Sequence, residues 1–199
     1  MILVFDVGNT ETTIGLFDGE ALRGHWRVTT DVARTPDEIA LLIRSLLAAS
    51  DIDRHGIRRA AIGSVVPALT APLAEACEQA VGAAPLIIDA RSPLPITLDV
   101  EEPLTVGADR IINTLAASRI YKRDTIVVDL GTATTYDCIT ADGTFLGGVI
   151  QPGIMISADT LFRRTAQLAA TTLGITTVTL SAPDAGAGIS VVLTSDPSA

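Results

Sequence analysis

The chain has 199 residues, of which 48% are hydrophobic and 19% are charged, and its formal net charge is −9. This composition indicates a folded protein with a substantial core and excludes a disordered chain. The negative charge argues against the clustered lysines and arginines that bind nucleic acid or membrane phosphates. No apolar run reaches the roughly 20 residues of a membrane helix, and the N-terminus lacks a signal peptide pattern, so we expect a cytoplasmic protein.

The first part of the chain predicts a three-strand meander followed by a helix. Apolar and alternating runs at residues 2–6, 12–17 and 21–28 are typical of strands, and Asp18-Gly19 is a hairpin turn signal between the last two. Thr35-Pro36-Asp37-Glu38 has the residues of a helix N-terminus with a capping box. The apolar residues that follow it recur at helical spacing, so we expect this helix to pack on the meander.

The chain then predicts a strand at 59–64, a helix at 68–81 and a strand at 86–89. Residues 90–103 contain three prolines, which resist regular structure, and they therefore predict the connection between two lobes. We expect an N-terminal lobe over residues 1–100 and a C-terminal lobe over residues 101–199.

The second lobe is predicted to repeat the first in part. A helix at 107–121 is followed by strands at 125–129, 134–140 and 144–150, and by a helix at 157–168. Beyond residue 168 only residues 175–180 have a strand pattern, so this lobe is expected to be incomplete. An incomplete lobe leaves sheet faces uncovered and favours association. The two cysteines, Cys77 and Cys138, occur in apolar patterns and are expected to be buried.

Two short motifs share one pattern. Asp6-Val7-Gly8-Asn9-Thr10 and Asp129-Leu130-Gly131-Thr132-Ala133-Thr134-Thr135 each place an aspartate at the end of a strand, before a turn with glycine and threonine. Glycine allows close approach of the backbone to a phosphate, and a fixed carboxylate can hold a cation. The repetition predicts an internal duplication and a nucleotide site between facing lobes. Alternatively, each aspartate only caps its own turn.

A third motif, Gly107-Ala108-Asp109-Arg110, opens the helix that follows the proline-rich connection. Asp109 could accept a proton from an attacking hydroxyl, and Arg110 could bind a carboxylate with two hydrogen bonds. The alternative is an ordinary acidic residue in a first helical turn beside a surface arginine.

Together these motifs resemble those of the type III pantothenate kinases, bacterial enzymes of the actin, sugar-kinase and Hsp70 ATPase superfamily. A fourth run, Gly147 to Gly153, is similar to the Gly-Gly-x-Ile-x-Pro-Gly run of that family and occurs in the same order. The resemblance covers about residues 1–168, and the Asn-Thr motif that the family carries farther on has no counterpart here. It implies an α/β fold of two ribonuclease-H-like lobes, each a mixed sheet with a meander and flanking helices.

The resemblance also implies a function and a set of site residues. ATP, with Mg²⁺, would phosphorylate pantothenate to 4′-phosphopantothenate, the first step of coenzyme A biosynthesis, in a homodimer. Asp109 would be the general base, and Asp129 would ligate a monovalent cation, K⁺ or NH₄⁺. Pantothenate would contact Gly107, Ala108, Asp109 and Arg110. The nucleotide would contact Asp6, Val7, Gly8, Asn9, Thr10, Glu11, Thr12, Thr13 and Thr132.

Two other functions remain open from the sequence. One is a non-catalytic relative, such as the accessory transcription factors that share this fold, or a degenerate binding subunit. The other is a different phosphotransferase of the superfamily, such as a sugar kinase or a polyphosphate hydrolase. The three aspartates Asp6, Asp109 and Asp129 favour catalysis, whereas the incomplete second lobe favours a binding protein.

Overall fold

The computed structural model of the protein describes residues 1–164, 175–181 and 190–195. The chain divides into two compact units. The first comprises residues 1–130 and 134–151, and the second comprises residues 131–133 and 152–199. The lobe boundary near residue 100 stays a prediction.

A five-stranded mixed sheet begins the first unit. Strands β1 (Ile2–Val7), β2 (Glu11–Asp18) and β3 (Ala21–Thr29) form the predicted antiparallel meander. Strand β4 (Arg59–Ser64) pairs in parallel with β1, and β5 (Pro85–Ile88) pairs in parallel with β4. The strand order is therefore β3-β2-β1-β4-β5.

Two helices pack on this sheet and enclose its core. They are α1 (Pro36–Ala49) and α2 (Pro67–Val81), and they contact each other. The inner face of α2 is buried and consists of Leu69, Leu73, Ala76, Cys77 and Ala80. Burial of the apolar faces removes hydrocarbon from water, which is the main stabilising contribution to such a layer. The largest fully buried side chains of this core are Leu3, Val7, Leu16, Ile43, Leu47, Ile62 and Cys77.

The N-terminus of α1 has the capping box that the sequence predicts. The Thr35 hydroxyl accepts a hydrogen bond from the Glu38 backbone N–H at 3.4 Å, and the Glu38 carboxylate accepts one from the Thr35 backbone N–H at 2.8 Å. We expect Thr35→Ala to lower the free energy of unfolding by about 1 kcal/mol, because a helix N–H loses its partner. Urea titration of both proteins measures the difference. A Thr35→Ser variant, which keeps the hydroxyl, should stay within about 0.5 kcal/mol of the native chain.

A four-stranded mixed sheet with one helix completes the first unit. Helix α3 (Ala108–Tyr121) precedes strands β7 (Thr125–Leu130), β8 (Ala133–Ile139) and β9 (Thr144–Pro152). The proline-rich connection contributes one short strand, β6 (Thr97–Leu98), which pairs in parallel with β9 and gives the order β6-β9-β8-β7. We expected no regular structure there. The prolines flank the two paired residues, so they do not interrupt this pairing.

The second sheet buries one face and exposes part of the other. Phe145, Ile139 and Ala117 form its buried cluster. On the opposite side Ile126 and Leu146 are exposed, which confirms the expected uncovered apolar surface. The prediction that both cysteines are buried is wrong for Cys138, which lies on this exposed face opposite Ile126. An apolar strand pattern does not reveal which face of a sheet is covered.

The second unit contains helix α4 (Ile154–Arg164) and the antiparallel pair β10 (Ile175–Ser181) and β11 (Ser190–Ser195). Helix α4 begins three residues before its predicted start, and residues 165–168 of that prediction lie outside the described residues. Within the described parts of the chain, no helix is long and apolar enough to cross a membrane.

Candidate active site

The turn after β1 is held by backbone and side-chain hydrogen bonds. Gly8 N–H donates to Glu11 O at 3.0 Å, and a Cβ at Gly8 would lie 3.0 Å from that same oxygen. Thr30, just after β3, donates from its hydroxyl to Gly8 O at 2.7 Å and from its backbone N–H to Thr10 O at 3.0 Å. Its hydroxyl also lies 2.9 Å from that of Thr12. Thr30 therefore fixes both ends of the turn.

The predicted nucleotide residues of this segment divide into exposed and buried side chains. Asn9, Thr10 and Glu11 are exposed at the tip of the turn. Val7 and Thr12 are buried, with relative exposures of 1% and 5%. A ligand at the turn would therefore meet the side chains of the tip, whereas Val7 and Thr12 would offer it only their backbone.

Helix α3 brings Asp109 to the end of β1. Asp6 is paired across the parallel ladder with Gly63 of β4. A Cβ at Gly63 would collide with the Ile112 side chain and lie 3.9 Å from the Ala108 Cβ. The absence of a side chain at Gly63 thus allows the first turn of α3 to pack against β4, which places Asp109 near Asp6.

The carboxylate of Asp109 folds back over the start of its own helix. Its Oδ1 accepts a hydrogen bond from the Arg110 backbone N–H at 2.8 Å. A Cβ at Gly107 would lie 2.5 Å from this Oδ1 and 3.4 Å from Val65. Glycine is therefore the residue that leaves room for the carboxylate.

Asp129 reaches the same place from the second sheet. It lies near the end of β7, opposite Thr135 of β8. Asn113, one helical turn after Asp109 on α3, lies close enough to Asp129 to act on its pKa as a hydrogen-bond donor. Helix α3 therefore presents one aspartate directly and an asparagine beside the other.

The three carboxylates of Asp6, Asp109 and Asp129 interact electrostatically. Loss of hydration raises the pKa of Asp6, and the negative charges of Asp129 and Asp109 raise it further. Loss of hydration also raises the pKa of Asp129, with repulsion from Asp109 and Asp137 added and the Asn113 hydrogen bond opposing. Asp6 and Asp129 are exposed residues, so the solvent weakens these effects without removing them. The cluster concentrates negative charge where a cation would relieve the repulsion.

This repulsion predicts a gain in stability when a site carboxylate is neutralised. When folding raises the pKa of a carboxyl group, the folded protein becomes less stable as the pH increases from the usual pKa, near 3.8, through the raised pKa. This loss grows with pH, so at pH 7 Asp6→Asn and Asp129→Asn should each raise Tm by about 2 °C, as thermal unfolding measures. The gain should vanish at pH 3.5.

A suitable control is Asp142→Asn. Hydrogen bonds from Thr140 and Thr144 lower the pKa of this exposed carboxyl, so its replacement should not raise Tm. A lower Tm for both site variants at pH 7 would contradict the electrostatic explanation.

The guanidinium of Arg110 points into the second sheet. Its Nε donates to Asp137 Oδ1 at 2.7 Å, and its Cζ lies 4.8 Å from the centre of the Phe145 ring. Asp137 has 0% relative exposure and the Arg110 side chain 16%. Arg110 thus combines a buried ion pair with a small exposed fraction at the site.

Thr132 belongs to the second unit, in the turn between β7 and β8. Its carbonyl accepts a hydrogen bond from Gly153 N–H at 3.0 Å. A Cβ at Gly153 would lie 2.5 Å from that carbonyl oxygen. The glycine that ends the Gly147 to Gly153 run is therefore required by the close approach of two backbone segments.

The carboxylates of the site suit a cation that is bound partly by the protein and partly by a phosphate group of the ligand. In the part of the chain that the structure describes, no three histidine, cysteine, aspartate or glutamate residues are grouped closely enough to hold a metal ion by themselves. Mg²⁺ usually takes one or two protein carboxylates together with phosphate oxygens and water. The carboxylates of Asp6 and Asp129, with pKa values raised first by loss of hydration and then by neighbouring negative charges, fit that requirement.

Several residues of this neighbourhood were not identified from the sequence. Asn113 and Asp137 contact predicted site residues, and Thr30 holds the first turn. Asp137 did carry a signal. It shares its strand face with buried Thr135 and Ile139, and an aspartate on the inner face of a strand needs a charged partner.

A sequence model of the type III pantothenate kinase family matches residues 2–189. Curated relatives with that name include proteins from Roseiflexus sp. (strain RS-1), 46% identical, and from Moorella thermoacetica, 44% identical, each over 168 residues. Each match covers 84% of this chain and 66% of the relative. The chain therefore spans about two thirds of the length of these relatives.

Two solved structures share the fold. A protein described as a Baf family transcriptional activator, from Campylobacter jejuni, has a TM-score of 0.50 at 18% identity, over 88% of this chain and 66% of its own. A 2-dehydro-3-deoxygalactonokinase protein from Sinorhizobium meliloti has a TM-score of 0.50 at 14% identity, over 83% and 58% of the two chains. The predicted α/β class with two mixed sheets is confirmed.

Proposed function

Because the chain belongs to the type III pantothenate kinases, we propose that it transfers the γ-phosphoryl group of ATP to pantothenate. The product is 4′-phosphopantothenate, and the reaction is the first step of coenzyme A biosynthesis. The observation that carries this proposal is the convergence of Asp6, Asp109 and Asp129 from two sheets and one helix. Phosphoryl transfer depends mainly on positioning and on compensation of charge, and this arrangement offers both.

Asp109 is the general base in this proposal. The pantothenate hydroxyl oxygen forms a bond to the γ-phosphorus while the bond from that phosphorus to the β,γ-bridging oxygen breaks, and ADP leaves. The proton of the hydroxyl passes to the Asp109 carboxylate. The 2.8 Å hydrogen bond from Arg110 N–H occupies Oδ1 and fixes the carboxylate plane, which leaves Oδ2 for the proton.

The turn after β1 binds the ATP phosphates. Asn9, Thr10 and Glu11 form its exposed tip, and Thr30 holds the turn rigid through Gly8 O and Thr10 O. A prearranged turn loses little entropy when a ligand binds, which favours the bound geometry. We further propose that Thr13 and, in the second unit, Thr132 contact the nucleotide.

Pantothenate binds beside the N-terminus of α3. Its carboxylate is an anion, and both the helix dipole and the Arg110 guanidinium attract anions. Gly107 and Ala108 line the same end of the helix, and Ala108 is buried against β4, so the helix start cannot shift away from the substrate.

Asp6 and Asp129 are the residues that would hold cations. Mg²⁺ bound with ATP neutralises charge on the transferring phosphate. Asp129 would hold the monovalent cation, K⁺ or NH₄⁺, with Asn113 beside its carboxylate. We also propose that the protein acts in the cytoplasm as a homodimer.

Detection of the product by mass spectrometry tests the function. The purified chain is incubated with ATP, Mg²⁺, K⁺ and pantothenate, and 4′-phosphopantothenate is quantified against the Asp109→Asn variant. Product formed by the native chain and not by the variant supports the proposal. No product from folded protein, as judged by a cooperative thermal transition, would contradict it and favour a non-catalytic relative.

A further inference from the structure

We propose that Asp137 is a positioning residue for the substrate-binding arginine, Arg110. This inference rests on the proposed function, because it assigns Asp137 a role in binding the acceptor of that reaction. Asp137 lies on β8, 27 residues after Arg110, and is completely buried. It acts through Arg110 and does not itself contact substrate.

The geometry ties the guanidinium to a single oxygen. Arg110 Nε donates to Asp137 Oδ1 at 2.7 Å, and Arg110 Nη2 lies 2.6 Å from the same oxygen without hydrogen-bond alignment. A charged pair at these distances in a water-poor environment is attracted far more strongly than a surface pair. The aspartate therefore determines which way the arginine side chain leaves α3.

Two neighbours restrict the arginine further. The Phe145 ring lies under the guanidinium, with 4.8 Å between Cζ and the ring centre. A Cβ at Gly148 of β9 would lie 2.6 Å from Arg110 Nη2 and 2.8 Å from Asp137 Oδ1. One face of the ion pair thus rests on an aromatic ring, and the space beside it exists only because residue 148 is glycine.

The pair of Arg110 and Asp137 leaves part of its hydrogen-bonding capacity unused. Arg110 Nη2 and Asp137 Oδ2 are both buried and have no hydrogen-bond partner. Buried polar atoms without partners are costly, and a role in a functional site is one reason for their presence. Arginine–carboxylate pairs frequently form two parallel hydrogen bonds, one to each carboxylate oxygen, and this pair does not. Here the arginine is held at one oxygen, and the exposed 16% of its side chain is the part through which it can meet an anionic ligand.

The test is a double-mutant cycle with Asp137→Asn and Arg110→Met, read as separate KM values for pantothenate and ATP. Asparagine keeps the shape of Asp137 and removes its charge. We expect Asp137→Asn to raise KM for pantothenate at least about tenfold and to change KM for ATP less than about twofold. In the Arg110→Met background, Asp137→Asn should cause no further rise. The control is Asp159→Asn. Asp159 forms an ion pair with Arg163 in which both side chains are exposed, and the loss of this pair should change neither KM.

Three results would overturn the inference. They are an unchanged KM for pantothenate in Asp137→Asn, equal changes in its KM values for pantothenate and ATP, or a KM for pantothenate in the double variant that is raised by the product of the two single effects. If Asp137→Asn alone does not fold, the double variant leaves no unpaired buried charge and is compared with Arg110→Met. A further rise in KM for pantothenate in the double variant then contradicts the inference.

A second readout does not depend on kinase activity. In a ¹H–¹⁵N NMR spectrum, the Nε–H of Arg110 should give a distinct signal. Its proton should exchange slowly with solvent, because the oxygen that accepts its hydrogen bond is buried. That signal should disappear in Asp137→Leu, which removes the acceptor oxygen, and remain in Asp159→Asn. Failure of the native chain to phosphorylate pantothenate would leave this signal unchanged, so the proposed function and the Asp137 inference fail in distinguishable ways. Rapid exchange of this proton in the native chain would overturn the inference.

Discussion

Replacement of Asp109 by asparagine is expected to lower kcat for pantothenate phosphorylation by about 10²–10⁴-fold, because a general base contributes a factor of that size. Asparagine can still accept the hydrogen bond from Arg110 N–H at its Oδ1, so the first turn of α3 keeps its geometry. What is lost is the ability to take a proton from the attacking hydroxyl. Steady-state kinetics with both substrates measures the change, and KM for ATP should stay within about threefold of the native value.

The matched control for this variant is Asp18→Asn. Asp18 is an exposed aspartate at the end of β2, and its only ion pair is a 3.5 Å contact with exposed Arg23 in the described part of the chain. Its replacement should leave kcat unchanged. If Asp109→Asn kept kcat within about threefold of the native chain, the general-base assignment would be wrong, and Asp109 would be left with a role in binding only.

The second large effect is expected from Gly148→Ala. The new Cβ would collide with the Tyr136 carbonyl oxygen and lie 2.6 Å from Arg110 Nη2. Because the nearest atom belongs to the backbone of β8, the strand has to shift, and overpacking of this kind costs about 1–3 kcal/mol. Urea titration should therefore show a lower free energy of unfolding. The displaced arginine should also raise KM for pantothenate.

Gly56→Ala is the control that separates this collision from the general effect of adding a methyl group. A Cβ at Gly56 would lie 2.8 Å from the terminal methyl of Met1, a flexible group that can move aside. We expect a change in unfolding free energy within about 0.5 kcal/mol. Equal stability losses in the two alanine variants would contradict the packing requirement at Gly148.

The elements of the first sheet and its helices could be predicted closely from local patterns. The meander is encoded by alternating apolar residues and by the Asp18-Gly19 turn, and the start of α1 by Thr35 and Glu38. These signals act between residues at most a few positions apart, so they can be recognised without knowledge of the fold. The second sheet was predicted less completely. Strand β6 depends on pairing with β9, more than 40 residues away, and its own two residues carry no signal.

The candidate site divides in the same way. Asp6, Asp109 and Asp129 are in motifs that predict nucleotide chemistry, and the structure brings their carboxylates into electrostatic contact. Their neighbour Asn113 could not be assigned from sequence, because a polar side chain on a helix becomes informative only when the group opposite it is known. Asp137 carried the signal of a charge on an inner strand face, but its partner Arg110 could not be assigned. The orientation of Arg110 is another case. The motif predicts an arginine free to bind substrate, and the structure places its guanidinium on Asp137.

The sequence by itself thus determined the order of the elements, the glycine-rich turns and the motifs that contain the three aspartates, because periodicity, capping and turn chemistry are local properties of the chain. Only the tertiary structure decided which residues meet. Gly63 admits α3 to the end of β1, Asp137 orients Arg110, and Cys138 lies on an exposed face of the sheet. Contacts of this kind depend on the distance and burial of residues far apart in sequence, which the packing of whole elements sets.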